Sequence, residues 1–201
     1  MVCLTPPMYR QLKSNRTINI APIICDICAN ISPVPIAGAV GLAGAPTMIG
    51  PVVANTGTPT LFEAFGRFCS TVDSTQTLIV RNDFFNACFT DPANIPFNMK
   101  SAWIGMTVLQ TPDISALVIS RQQDATKLFE LGAQGFPLQI LHGKADKLVD
   151  GEAVVKELKP HFKDLEISLI EGSHTIFHDQ QEEMLDKLIG FVDRVNAVSG
   201  W

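Results

Sequence analysis

The chain carries little charge and little that would hold a phosphate, a metal or a nucleic acid. Charged residues make up 17% of its 201 positions, the net charge is −5, and no basic face is evident. Nucleic acid and anionic lipid surfaces are therefore poor partners. The glycines between Gly38 and Gly50 have neither dinucleotide-binding spacing nor a Gly-Lys-Ser/Thr ending, so no phosphate loop is present. No two His flank a carboxylate at the i, i+4 spacing that zinc would need. No metal and no cofactor is expected.

Cysteine is odd in number, five in all, and Cys25–Cys28 is a lone CxxC without a second pair. Buried, reduced thiols are the expectation, and they favour a cytoplasmic location. The best apolar run, Ile18 to Ile31, is too short for a membrane span and contains Pro22 and Asp26. No secretory leader is apparent ahead of it. The sequon at Asn15 is discounted for want of one.

What the chain does have is apolar residues, 46% of the total. That is enough for one buried core. Met1 to Asn19 is polar and aperiodic and reads as a loose arm. Ala21 to Ile31 reads as a short helix, with Ile23, Ile24, Ile27 and Ile31 on one face. Ile36 to Ala43 has the small apolar texture of a parallel strand covered on both faces.

From Thr56 to Leu131 the texture changes. The stretch is rich in Phe, broken by proline, and fits five short helices: Thr60–Ser70, Ser74–Cys88, Pro96–Leu109, Asp113–Ile119 and Arg121–Leu131. Strands follow at Pro137–His142 and Leu165–Ile170. Asp150 is placed to cap a helix from Gly151 to Lys159. Asp179 with Glu182 resembles a capping box opening a helix to Ala197. Strand, helices, strand, helix, strand, helix implies an α/β fold with a parallel sheet and right-handed crossovers.

Two residues stand where such sheets place their chemistry. Asp146 follows the second strand and His174 the third, each in a loop at a carboxyl-terminal strand end. A carboxylate there can fix the tautomer of an imidazole and stabilise it when protonated. Gly172 allows the sharp turn that aims His174. Taken singly, Asp146 also reads as a turn cap and His174 as a surface residue; the pair in this order favours acid and base. His142 reads as a structural residue, since Asp146 follows too closely to orient it. His161 and His178 read as surface or packing residues.

HGKADKLV (142–149) and EGSHTIFHDQQEEMLDKLIGFV (171–192) resemble the acid loop and the final His loop and helix of the α/β-hydrolase superfamily, of serine esterase or lipase type. The likeness covers about Ala21 to Ala197. It implies a partial α/β-hydrolase fold: a core formed by residues 21–55 and 132–201, a helical cap over 56–131, and an irregular arm over 1–20. It makes Asp146 the triad acid and His174 the general base, in ester hydrolysis by a Ser-His-Asp mechanism.

The family nucleophile, a Ser in Gly-x-Ser-x-Gly, belongs on the turn before the first helix. Ile18 stands at that position, no Gly-x-Ser-x-Gly occurs anywhere, and Ser14 and Thr17 are the nearby hydroxyls. The expectation is a chain that keeps acid and base, lacks the nucleophile, is inactive as written, and corresponds to a truncated form of a longer hydrolase. The alternatives are a non-catalytic relative that binds a small apolar ester-like ligand, and a fragment completed by a partner chain. Oligomeric state is left open.

Overall fold

The computed structural model describes residues 21–47 and 50–199. The expected arm over 1–20, with Ile18, Ser14 and Thr17, lies outside them.

Three parallel strands form one sheet in the order β1 (Ala39–Leu42), β2 (Leu138–Gly143), β3 (Leu165–Ile170). All six residues of β2 are buried. Alternation along β2 divides the core in two. Leu138 and Ile140 pack with Ile24, Cys25, Leu128 and Val154, under helices α1 (Ala21–Asn30), α7 (Thr126–Ala133) and α8 (Gly151–Leu158). Leu141 points the other way, to Val40, Ile170, Met184 and Phe191, under α10 (Gln181–Ser199). Each such side chain contributes about 1.5–3 kcal/mol by leaving water. β1 is shorter than its apolar run because it pairs with β2 over four residues only. Gly41 is needed there, as a Cβ would meet Ile140 Cδ1.

Between β1 and β2 runs a helical insert: α2 (Gly50–Thr56), α3 (Pro59–Phe68), α4 (Ser74–Cys88), a 3-10 turn (Pro92–Asn94), α5 (Phe97–Val108) and α6 (Pro112–Ser120). The insert has its own apolar cluster of Leu61, Phe85, Phe89 and Ile95, into which Leu148 of the loop after β2 projects. Three elements differ from expectation. α7 begins at Thr126, not Arg121. α2 was not expected; proline in the first turn suits a helix start, and Val52 and Thr56 are the buried side. Asp179 does not open the last helix. It ends a separate short turn, α9 (Ile176–Asp179), and its carboxylate turns back to the loop ahead of it.

Among the described residues no single helix is long and apolar enough to cross a membrane. α5 and α6 together reach that length and apolarity but bend by 84°.

Candidate active site

Register brings the two candidate loops together. Gly143 lies opposite Ile170, so the chain leaves β2 and β3 side by side at one edge. The Lys144 amide donates to Ile170 O (2.8 Å) and the Ala145 amide to Gly172 O (2.9 Å). The backbones touch so closely that a Cβ on Gly143 would overlap the Ser173 carbonyl. Gly172 takes φ +125°, a conformation that glycine alone adopts at little cost.

Across this junction His174 Nδ1 lies 2.8 Å from Asp146 Oδ2. The Asp146 side chain is 1% exposed and that of His174 16%. The other carboxylate oxygen, Oδ1, accepts from the amides of Leu148 (2.8 Å) and Val149 (3.1 Å). Burial alone would raise the Asp146 pKa. The hydrogen bond and charge of His174, the Leu148 amide and His142 outweigh it, and the carboxyl sits below its ordinary range. With an acceptor at Nδ1, the neutral ring of His174 carries its proton there. Among the described residues Nε2 has no hydrogen-bond partner. The arrangement is a buried anion orienting a partly exposed base whose free nitrogen can take a proton.

His142, expected as a structural residue, lies against Asp146. Its side chain is 1% exposed, with Nε2 3.0 Å from Val149 O and 3.3 Å from Asp146 Oδ2. The i, i+4 spacing that argued against a link is bridged because the loop doubles back on the strand end. Burial pushes the His142 pKa down, against the pull of Asp146 and the Val149 carbonyl.

The His174 loop is fastened to the insert. Ser173 Oγ donates to Ala87 O (3.2 Å), and Thr175 donates to Cys88 O through both Oγ1 (2.9 Å) and its amide (3.1 Å). These are carbonyls of the last turn of α4, which lack helical partners. Asp179 Oδ2 accepts from the Ser173 amide (3.0 Å) and Thr90 Oγ1 (2.6 Å). Trp103 of α5 stacks on Phe177 at 6.0 Å. His178 meets the Phe89 ring edge-on, and His161 stacks on Phe129, so both are packing residues.

Cys25, Cys28 and Cys88 are buried. Burial raises the pKa of the Cys25 thiol. Burial, with Asp146 nearby, pushes the Cys88 thiol up to about 12. Among the described residues no group of three or more His, Cys, Asp or Glu could hold a metal ion. A cleft of about 520 Å³ lies at the amino-terminal ends of β1 and β2, lined by Cys28, Ile31, Val34, Leu131 and Phe136. It is at the opposite edge from His174 and holds no acid–base pair.

No family model matches this sequence, and no curated protein does. Solved structures do. An esterase from Rhodococcus sp. ECU1013 superposes with a TM-score of 0.73 at 22% identity, over 87% of this chain and 62% of that one. An esterase from Exiguobacterium antarcticum gives 0.63 at 16% identity, over 86% and 63%. A bromoperoxidase from Bacillus anthracis gives 0.52 at 18%, over 64% and 48%. The chain thus has a partial α/β-hydrolase fold and spans under two thirds of the length of these neighbours. One fold carrying esterase and bromoperoxidase names leaves the chemistry to be argued from the site.

Proposed function

We propose that Asp146 and His174 are the acid and general base of an ester-hydrolysing α/β-hydrolase, and that the chain as written lacks the nucleophile. The reading rests above all on the 2.8 Å bond between His174 Nδ1 and Asp146 Oδ2, which leaves Nε2 free. In the reaction, a hydroxyl held at Nε2 gives up its proton as its oxygen attacks the ester carbonyl carbon. Asp146 stabilises the imidazolium that forms, without taking the proton. The Nε2 proton then passes to the departing alcohol oxygen, and water, activated in the same way, releases the acid. The helical insert is the cap over this edge, and its Phe and Trp side chains suit a small apolar acyl or alcohol group. The hydroxyl would come from a Gly-x-Ser-x-Gly turn ahead of α1 in a longer form.

A fluorophosphonate probe tests this. A longer form bearing that turn should be labelled, and His174→Ala should abolish both labelling and turnover of short esters. The 201-residue chain should stay unlabelled. Labelling of the 201-residue chain, or full labelling of the longer His174→Ala variant, would overturn the assignment.

One observation favours a second reading: among the described residues no hydroxyl meets Nε2. On that reading the chain binds a small apolar ester-like ligand without turnover. Thermal-shift measurements with short acyl esters decide it, since no stabilisation by any of them removes it.

A further inference from the structure

His142 is the fifth residue of β2, beside Asp146, and its chemistry is fixed by what surrounds it. Both groups facing Nε2 are acceptors, Val149 O at 3.0 Å and Asp146 Oδ2 at 3.3 Å. Nε2 must therefore carry the proton. Among the described residues Nδ1 is buried with no partner, so a second proton there would be an unsatisfied buried donor. The ring is thus a neutral donor with one tautomer. The titratable groups acting on it are Asp146, His174 and Asp150, the last capping α8.

The ring packs closely against the start of α8. A Cβ on Gly151, the first residue of α8, would overlap it. Val149 meanwhile gives its amide to Asp146 Oδ1 and accepts at its carbonyl from His142. The loop is closed from both sides around the carboxylate.

We propose that His142 is a positioning residue for Asp146: its Nε2–H, bonded to Val149 O, fixes the loop whose Val149 amide holds Asp146 Oδ1, and so sets Oδ2 where His174 Nδ1 can reach it. This rests on the reading of Asp146 and His174 as acid and base. His142 touches neither His174 by a hydrogen bond nor any reacting atom, and acts through the carboxylate alone. Because the neutral donor adds no charge, it orients Asp146 without cancelling the anion that His174 needs.

The test uses the 201-residue chain and needs no turnover. Nitrogen-15 NMR of the histidine rings reads which nitrogen holds the proton. Two variants of equal length separate donor from bulk: His142→Gln keeps an N–H near the position of Nε2, and His142→Met does not. His174 is expected as Nδ1–H in the unaltered chain and in His142→Gln. In His142→Met its ratio of Nδ1–H to Nε2–H should fall about tenfold, the worth of one buried hydrogen bond. An unchanged ratio in His142→Met, or an equal fall in His142→Gln, would overturn the proposal. Should the Met variant lose its fold by circular dichroism, Gly151→Ala, which pushes the ring aside, should give the same fall; an unchanged ratio there overturns it as well. The hydrolase reading fails separately: a longer form that the fluorophosphonate probe does not label would sink that reading while these ratios stayed as stated.

Discussion

Residues 144–150 and 171–175 leave adjacent strands at one edge of the sheet, and different parts of the chain hold them. The Asp146 carboxylate is held by its own loop, through amides two and three residues on, with the ring four residues back lying against it. His174 is flanked by two hydroxyl residues bonded to the end of α4, across 86 and 87 residues of sequence. Asp146 is held locally; His174 is held through the helical insert. So α4 helps to fix where His174 stands.

Substitutions can break this contrast at the pair itself, at the seam, or on one side only. The largest effect is expected at the acid. In a longer, hydrolysing form, Asp146→Asn should lower kcat about 10⁴-fold by favouring the wrong tautomer of His174. Near-normal turnover would show that the local grip on Asp146 serves something else.

Next comes the seam. Gly143→Ala drives a methyl group into the Ser173 carbonyl and should destabilise the fold by about 3 kcal/mol in urea unfolding. A loss below about 1 kcal/mol would mean that the two loops are not locked together.

Thr175→Val removes the buried hydroxyl bond to Cys88 O and should cost about 1–2 kcal/mol. Amide exchange should quicken at Ser173 and Thr175 while Leu148 and Val149 keep their rates. Equal quickening in both loops would erase the distinction drawn above.

The smallest effect concerns pH. His142, its affinity for a second proton lowered by burial, binds fewer protons folded than unfolded. Stability should therefore begin to fall below about pH 6.5, the unfolded histidine value. Asp146 and Asp179, both lowered in the fold, add a second loss as pH drops below about 3.9, the unfolded aspartate value. Denaturant midpoints against pH should show the upper limb in the unaltered chain and a flatter one in His142→Gln. An identical upper limb in both would assign that loss to another group.

Much of the fold could be read from the chain, and for stated reasons. Leu165–Ile170 is an apolar run between turn signals and appears as β3 with those bounds. Ser74–Cys88 appears as α4 with those bounds, since Asp73 caps it through the Gln76 amide. Asp150 caps α8 as its position suggested, accepting from the Ala153 amide at 3.0 Å. What stayed hidden depends on distant contacts. Nothing near Asp179 in sequence shows that Thr90 draws its carboxylate away from the last helix. Nothing near Cys88 shows that its carbonyl anchors Thr175. His142 reads as a structural residue and is buried, but its approach to Asp146 was hidden because the loop folds back on the strand end.

Asp146 is expected to dictate which nitrogen of His174 holds the proton. Nitrogen-15 NMR at neutral pH, on the unaltered chain and on Asp146→Asn, measures this directly. The proton should sit on Nδ1 in the first and move largely to Nε2 in the second. The same tautomer mixture in both would mean that the carboxylate does not govern the imidazole, and the acid–base pair would not exist.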